Sequence, residues 1–145
     1  MTTHPATTVL ERVRMRGRPA AGPAACVVRG QARFTVLTPR LLRLEWSATG
    51  AFEDRGTFAF PTRYGPVPPF TARDEGGTLV LDTGALTLRY TPGAGPFTPE
   101  NLQIAFTLNG APRTWQPEQP DTGNLRGTCC WKLHILAFTA LTHIF

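Results

Sequence analysis

The chain has 145 residues, 41% of them hydrophobic and 10% aromatic, with a formal net charge of +5. That length suits one domain with its own core and excludes an eight-fold β/α barrel, which needs about 200 residues or more; the composition excludes wholesale disorder. Fourteen prolines and fourteen glycines point to many turns and few long helices.

The N-terminal stretch MTTHPATTVLERVRMR has no apolar core behind a basic start, so no secretory signal peptide is expected. Arg12, Arg14, Arg16 and Arg18 recur at spacing two, which on a strand places them on one face, with Val9, Val13 and Met15 on the other. No aromatic residues interleave with these arginines. They are expected to form a solvated strand face, not a phosphate-binding stripe, and no nucleic-acid partner is expected. The Ala/Pro/Gly run GRPAAGPAA follows, so residues 1–24 are assigned to an N-terminal strand and linker.

Between positions 9 and 108 the apolar residues recur at period two almost everywhere. In QARFTVLT, Ala32, Phe34 and Val36 alternate with Arg33, Thr35 and Leu37; in LLRLEWS, Leu42, Leu44 and Trp46 share one face while Arg43 and Glu45 take the other. Pro39 marks the turn between these runs. Leu79 and Leu81, then Thr83-Gly84, then Leu86, Leu88 and Tyr90 predict a β-hairpin. Leu102, Ile104, Phe106 and Leu108 lie on one face of a strand ending in Asn109-Gly110, the dipeptide preferred in a type I′ turn, with a return strand through Arg113 and Trp115. With TVLERVRM and ACVVRG the total is about eight strands, which predicts an all-β sandwich or barrel.

The pattern breaks between Phe52 and Phe70, in FEDRGTFAFPTRYGPVPPF. Its prolines bar it from a central strand. It is expected either to pack its aromatics onto the sandwich edge or to present them to a partner or ligand.

Signatures of catalysis are absent. There is no nucleophile elbow, P-loop or dinucleotide fingerprint, and Gly93-Ala94-Gly95-Pro96 lies in a turn with proline where a helix would have to begin. Glu53 and Asp54 are adjacent and point in opposite directions on an extended chain, so they are not expected to flank one glycosidic bond; solvated loop charges are expected instead. No catalytic residue, cofactor or metal site is predicted. Cys129, Cys130, His134 and His143 lack the spacing that lets paired thiolates reach one zinc ion.

The last stretch differs in kind. Three cysteines, at 26, 129 and 130, make no framework of paired bridges, so a reduced, cytoplasmic setting is expected. Of fourteen Arg and one Lys, the single Lys lies at 132, and the segment after Thr128 holds two of the three His and two of the three Ile. Residues 129–145 are therefore expected to be an aberrant hydrophobic tail, read from a different frame or from a mis-annotated end, and unstructured or partly helical. From Trp131 onward the run is shorter than the roughly 20 residues that span a bilayer, so no membrane partner is expected.

With these elements placed, the segment from about Gln31 to Thr128 resembles the N-terminal domain of glycoside hydrolase family 31, the α-glucosidase and α-xylosidase family. The residues that carry the resemblance are RFTVLTPRLLRLEWSATGAFEDRGTFAFPTRYGPVPPFTAR, LVLDTGALTLRY, GPFTPENLQI and TWQPEQPDTGNLRGT, above all Phe52-Glu53-Asp54-Arg55 and Gly123-Asn124-Leu125. The resemblance implies that residues 25–128 form a β-sandwich of the galactose-mutarotase type, packed in the family against a catalytic barrel that carries both catalytic aspartates. Neither barrel motif occurs here, so a fragment without activity is expected. The resemblance departs after Thr128. It also implies a docking surface for the barrel, formed by Phe52, Phe58, Phe60, Tyr64 and Phe70, which would drive self-association when uncovered. The alternative is a stand-alone carbohydrate-binding sandwich with Trp46, Tyr64 or Trp115 as stacking platforms, of which Trp46 is in phase with the core.

Overall fold

The computed structural model describes residues 17–56 and 61–120, together with the backbone of a strand at 133–137. Among the described residues, one 3₁₀ turn at Pro23–Ala25 is followed by nine strands: β1 (Cys26–Arg29), β2 (Ala32–Thr38), β3 (Leu41–Trp46), β4 (Thr71–Glu75), β5 (Thr78–Asp82), β6 (Leu86–Tyr90), β7 (Leu102–Leu108), β8 (Ala111–Trp115) and β9 (Leu133–Ala137). They form two antiparallel sheets, one of four strands in the order β1-β2-β3-β9 and one of five in the order β4-β5-β6-β7-β8. The expected all-β, sandwich-like architecture is what the described chain adopts.

Period-two patterning dictates where the core sits. Phe34 and Val36 of β2, Leu42 and Leu44 of β3, Leu81 of β5, Leu88 and Tyr90 of β6, and Leu102 and Ile104 of β7 all bury into one cluster drawn from both sheets. Burying each such side chain contributes on the order of 1.5–3 kcal/mol. Phe34, Tyr90 and Phe97 lock the sheets together, with ring centroids 5.1 Å apart for Phe34–Tyr90 and 5.5 Å for Tyr90–Phe97. Trp46 and Trp115 pack against the same cluster.

Turn chemistry sets the registers. Asn109 and Gly110 both adopt positive φ, at 52° and 77°, as a type I′ turn demands. At the β5–β6 turn the Asp82 carboxylate accepts from Gly84 N–H, and the Thr83 hydroxyl accepts from Leu86 N–H and donates to the Pro39 carbonyl, 2.6 Å away. That last bond ties the tip of one sheet to the β2–β3 turn of the other. On the opposite side, Arg29 of β1 pairs with Asp74 of β4.

Two strands were not anticipated. In β4 every residue is exposed and three of its five are charged, so no apolar alternation betrays it. The second is a correction. Within the tail expected to be unstructured or partly helical, β9 runs antiparallel to β3, from Glu45↔Leu133 to Leu41↔Ala137. Without it the outer edge of β3 would present unpaired N–H and C=O groups, and a continuous apolar run fits a strand as well as a helix. The strand expected at TVLERVRM lies outside the described residues.

Candidate functional site

The face of the four-stranded sheet that points away from the core should, by simple alternation, meet solvent. It does not. Thr35 is 1% exposed, Arg43 1% and Glu45 4%. The irregular segment after β3 covers this face, and an arginine lattice fastens it there.

The lattice grows from cross-strand pairing. Arg33 of β2 stands directly opposite Glu45 of β3 and bonds both carboxylate oxygens, at 2.7 and 3.0 Å. Arg43 reaches the same carboxylate at 2.8 Å. Arg33 also bridges outward to Asp54, at 2.8 Å. Above them the main-chain carbonyl of Glu53 accepts from three guanidinium groups, 2.6 Å from Arg43, 3.3 Å from Arg33 and 3.4 Å from Arg63. Arg63 donates in addition to the carbonyls of Arg55, at 2.8 Å, and Pro19. A guanidinium presents several donors in a fixed fork, which is why one residue can hold several carbonyls.

Electrostatics follow from this crowding. Burial lowers the pKa of Arg43, Glu45 opposes that, and Arg63 and Arg33 add to it. For Arg33 burial works against the charge, but hydrogen bonds to Glu45 and Asp54 outweigh it and raise the pKa. The Glu53 carboxyl is held down to about 2, first by the Arg55 side chain and then by the Arg55 backbone N–H. Glu53 and Asp54 are thus exposed loop carboxylates, as expected, but each has an arginine partner.

Among the residues expected to dock a barrel, Phe52 lies beneath the Arg33 guanidinium, 4.7 Å from its ring centroid, and Phe70 packs against the core. Tyr64 is 46% exposed, with the Arg18 guanidinium stacked 3.4 Å from its ring centroid. Phe58 and Phe60 lie outside the described residues. Arg63 N–H and Tyr64 N–H both donate to the Arg18 carbonyl, so the segment leading into β1 is laced to the covering segment. Beside this seam opens a cleft of about 250 Å³, lined by Ala25, Val36, Leu37 and Leu41 together with Arg63 and Tyr64.

Sequence reasoning missed the lattice. The available signal was the charged run Glu53-Asp54-Arg55 immediately after a strand carrying Arg43 and Glu45. Among the described residues no group of three or more His, Cys, Asp or Glu could hold a metal ion, and no helix is long and apolar enough to cross a membrane. Cys129, Cys130 and His143 lie outside the described residues. Cys26 is a free thiol, 3.6 Å from the Thr35 hydroxyl. No protein-family model matches the chain, and no curated protein matches it.

Proposed function

We propose that this sandwich is a non-catalytic module of the kind that precedes the catalytic barrel in glycoside hydrolase family 31, and that its role is to dock on such a barrel. The galactose-mutarotase type of sandwich is part of this reading. One observation carries it. The block most diagnostic of the resemblance, Phe52-Glu53-Asp54-Arg55 and the proline-rich run after it, is a structural strap, clamped over one sheet by Arg33, Arg43 and Arg63 and leaving Tyr64 and Val67 outward at 46% and 39% exposure. An exposed aromatic and aliphatic pair on a rigid, hydrogen-bonded support suits a docking contact, because little freedom is lost on binding.

The acidic side chains of the strap are taken up by arginine, which supports a framing role over acid/base chemistry. The carbohydrate-binding alternative has less in its favour: Trp46 and Trp115 pack against the core, and Tyr64 has Arg18 stacked on its ring. Calorimetric titration separates the two. The docking reading predicts saturable binding to a family 31 barrel stripped of its own N-terminal sandwich, weakened by Tyr64→Ser with Val67→Ser. It also predicts no heat with maltooligosaccharides or xylosides, and saturable binding to those sugars with none to the barrel would overturn it.

A further inference from the structure

We propose that residues 66–69 form a polyproline ligand for an SH3-class groove on another protein, a groove lined by aromatic side chains and rimmed by carboxylates. The inference goes beyond docking on a barrel and does not rest on it.

The backbone supplies the first observation. In Gly65-Pro66-Val67-Pro68-Pro69 three of the five residues are proline, and Gly65, Val67 and Pro68 each precede one. Proline holds its own φ at about −65° and drives the residue before it to the extended region, so the run is confined to the polyproline II helix. In agreement, the chain passes from 66 to 70 without turn, bend or strand, and the described residues contain no cis peptide bond. Both ends are fixed. Upstream, Arg63 and Tyr64 N–H donate to the Arg18 carbonyl; downstream, Phe70 packs against the core and β4 begins at Thr71. A partner meets a ligand already in its bound shape, which lowers the ordering cost of association.

The second observation is what the segment offers to solvent. A polyproline helix has about three residues per turn, so Pro66 and Pro69 share one edge. Both are exposed, whereas Phe70, on another edge, packs against the core. Among the described residues no donor reaches a carbonyl between Gly65 and Pro69. Two proline rings on one edge, beside open carbonyls, suit a groove of aromatic side chains that bring indole N–H or phenol O–H donors.

The third is charge. Arg63-Tyr64-Gly65-Pro66-Val67-Pro68-Pro69 has the basic-x-x-Pro-x-x-Pro spacing of an SH3 ligand. Arg63 itself is 6% exposed and held by the Arg55 and Pro19 carbonyls, so it does not supply the cation. Arg18 does. It is exposed, and its guanidinium lies 3.4 Å from the ring centroid of Tyr64, just upstream of Pro66. A cation at this end of the run selects a groove with an acidic rim over a purely apolar one.

NMR titration of an isotope-labelled SH3 domain that takes basic-x-x-Pro-x-x-Pro ligands, with the unlabelled full chain as titrant, tests this. Saturable shifts are expected in the aromatic groove and acidic rim of that domain. Pro66→Ala with Pro69→Ala should weaken binding by at least about tenfold. Both positions are at the surface, so the amide spectrum of the variant chain should remain that of the folded protein. Arg18→Glu should weaken binding and remove most of its salt dependence, while the main-chain carbonyl at 18 still fastens the strap. No saturable shift, shifts confined to other surfaces of the domain, or undiminished binding by either variant overturns the proposal. So does saturable binding to a WW domain with none to the SH3 domain. Neither domain contains a barrel, so these results are independent of barrel docking.

Discussion

Arg43, in the middle of β3, reaches across the outer face of its own sheet to the main-chain carbonyl of Glu53, 2.6 Å away, while its guanidinium also holds Glu45 at 2.8 Å. One side chain thereby links a strand, a neighbouring carboxylate and the strap that covers both. Arg43→Met keeps the volume but removes these bonds, and leaves Glu45 with Arg33. Urea unfolding should show a loss of about 2–3 kcal/mol. Glu45→Gln should cost more, about 3–5 kcal/mol, since it leaves two buried guanidinium groups short of their shared anion. The reverse order would mean that the strap, not the ion lattice, dominates.

Phe34 is the keystone of the opposite face, completely buried and in ring contact with Tyr90 and Phe97. Phe34→Ala should destabilise by about 3–5 kcal/mol, a large part of the stability of a small domain. Val28→Ala, at a residue 58% exposed on β1, should change stability by less than about 0.5 kcal/mol. Thermal unfolding of the pair checks whether the core lies where the two sheets face.

Acid should weaken the fold over a defined window. Glu53 is held down to about 2 from an ordinary 4.5 by Arg55, and Glu75 is lowered by hydrogen bonds from Arg73 and Arg89. A carboxyl whose folded pKa is depressed adds stability that is present in full above its unfolded value and lost as pH falls toward the folded one. The unfolding midpoint should therefore decline between about pH 4.5 and pH 2, and Glu53→Gln should flatten part of that decline. A midpoint constant across the window would contradict the pairing. Both groups are at the surface, so added salt should shrink the effect.

Self-association is expected through Tyr64 and Val67. Size-exclusion chromatography at about tens of micromolar should give concentration-dependent elution, and Tyr64→Ser with Val67→Ser should restore a single monomeric peak. The wild-type chain running as one monomer, without binding a dye for exposed apolar surface, would count against the docking face.

Much of the fold was legible in the sequence because a strand with one buried face declares itself by alternation. Leu79 and Leu81 against Leu86, Leu88 and Tyr90 required a hairpin, and Asn109-Gly110 could hardly serve elsewhere than in a tight turn. β4 escaped because the sequence Thr71 to Glu75 has no apolar period, although Gly76 and Gly77, at φ 60° and 91°, offered a turn that needs a strand on each side. β9 escaped because a run apolar at nearly every position defines no period at all. The arginine lattice was hidden for a deeper reason. Alternation sends Arg43 and Glu45 to the outer face, but it carries no information on whether another segment will cover that face. Burial there depends on contacts between residues 8 to 44 positions apart, most of them made to an irregular segment, and irregular chain has no pattern to read. The docking aromatics were chosen by residue type alone; of the three among the described residues, Phe52 lies beneath Arg33 and Phe70 packs against the core, while Tyr64 stays half exposed with Arg18 stacked on its ring.

The most direct measurement is turnover of aryl α-glucoside and α-xyloside by the purified chain, alone and mixed with a family 31 barrel lacking its own N-terminal sandwich. Release at the buffer rate is expected from the chain alone, with activity or thermal stability of the barrel raised in the mixture. Turnover by the chain alone that survives rigorous repurification would contradict it.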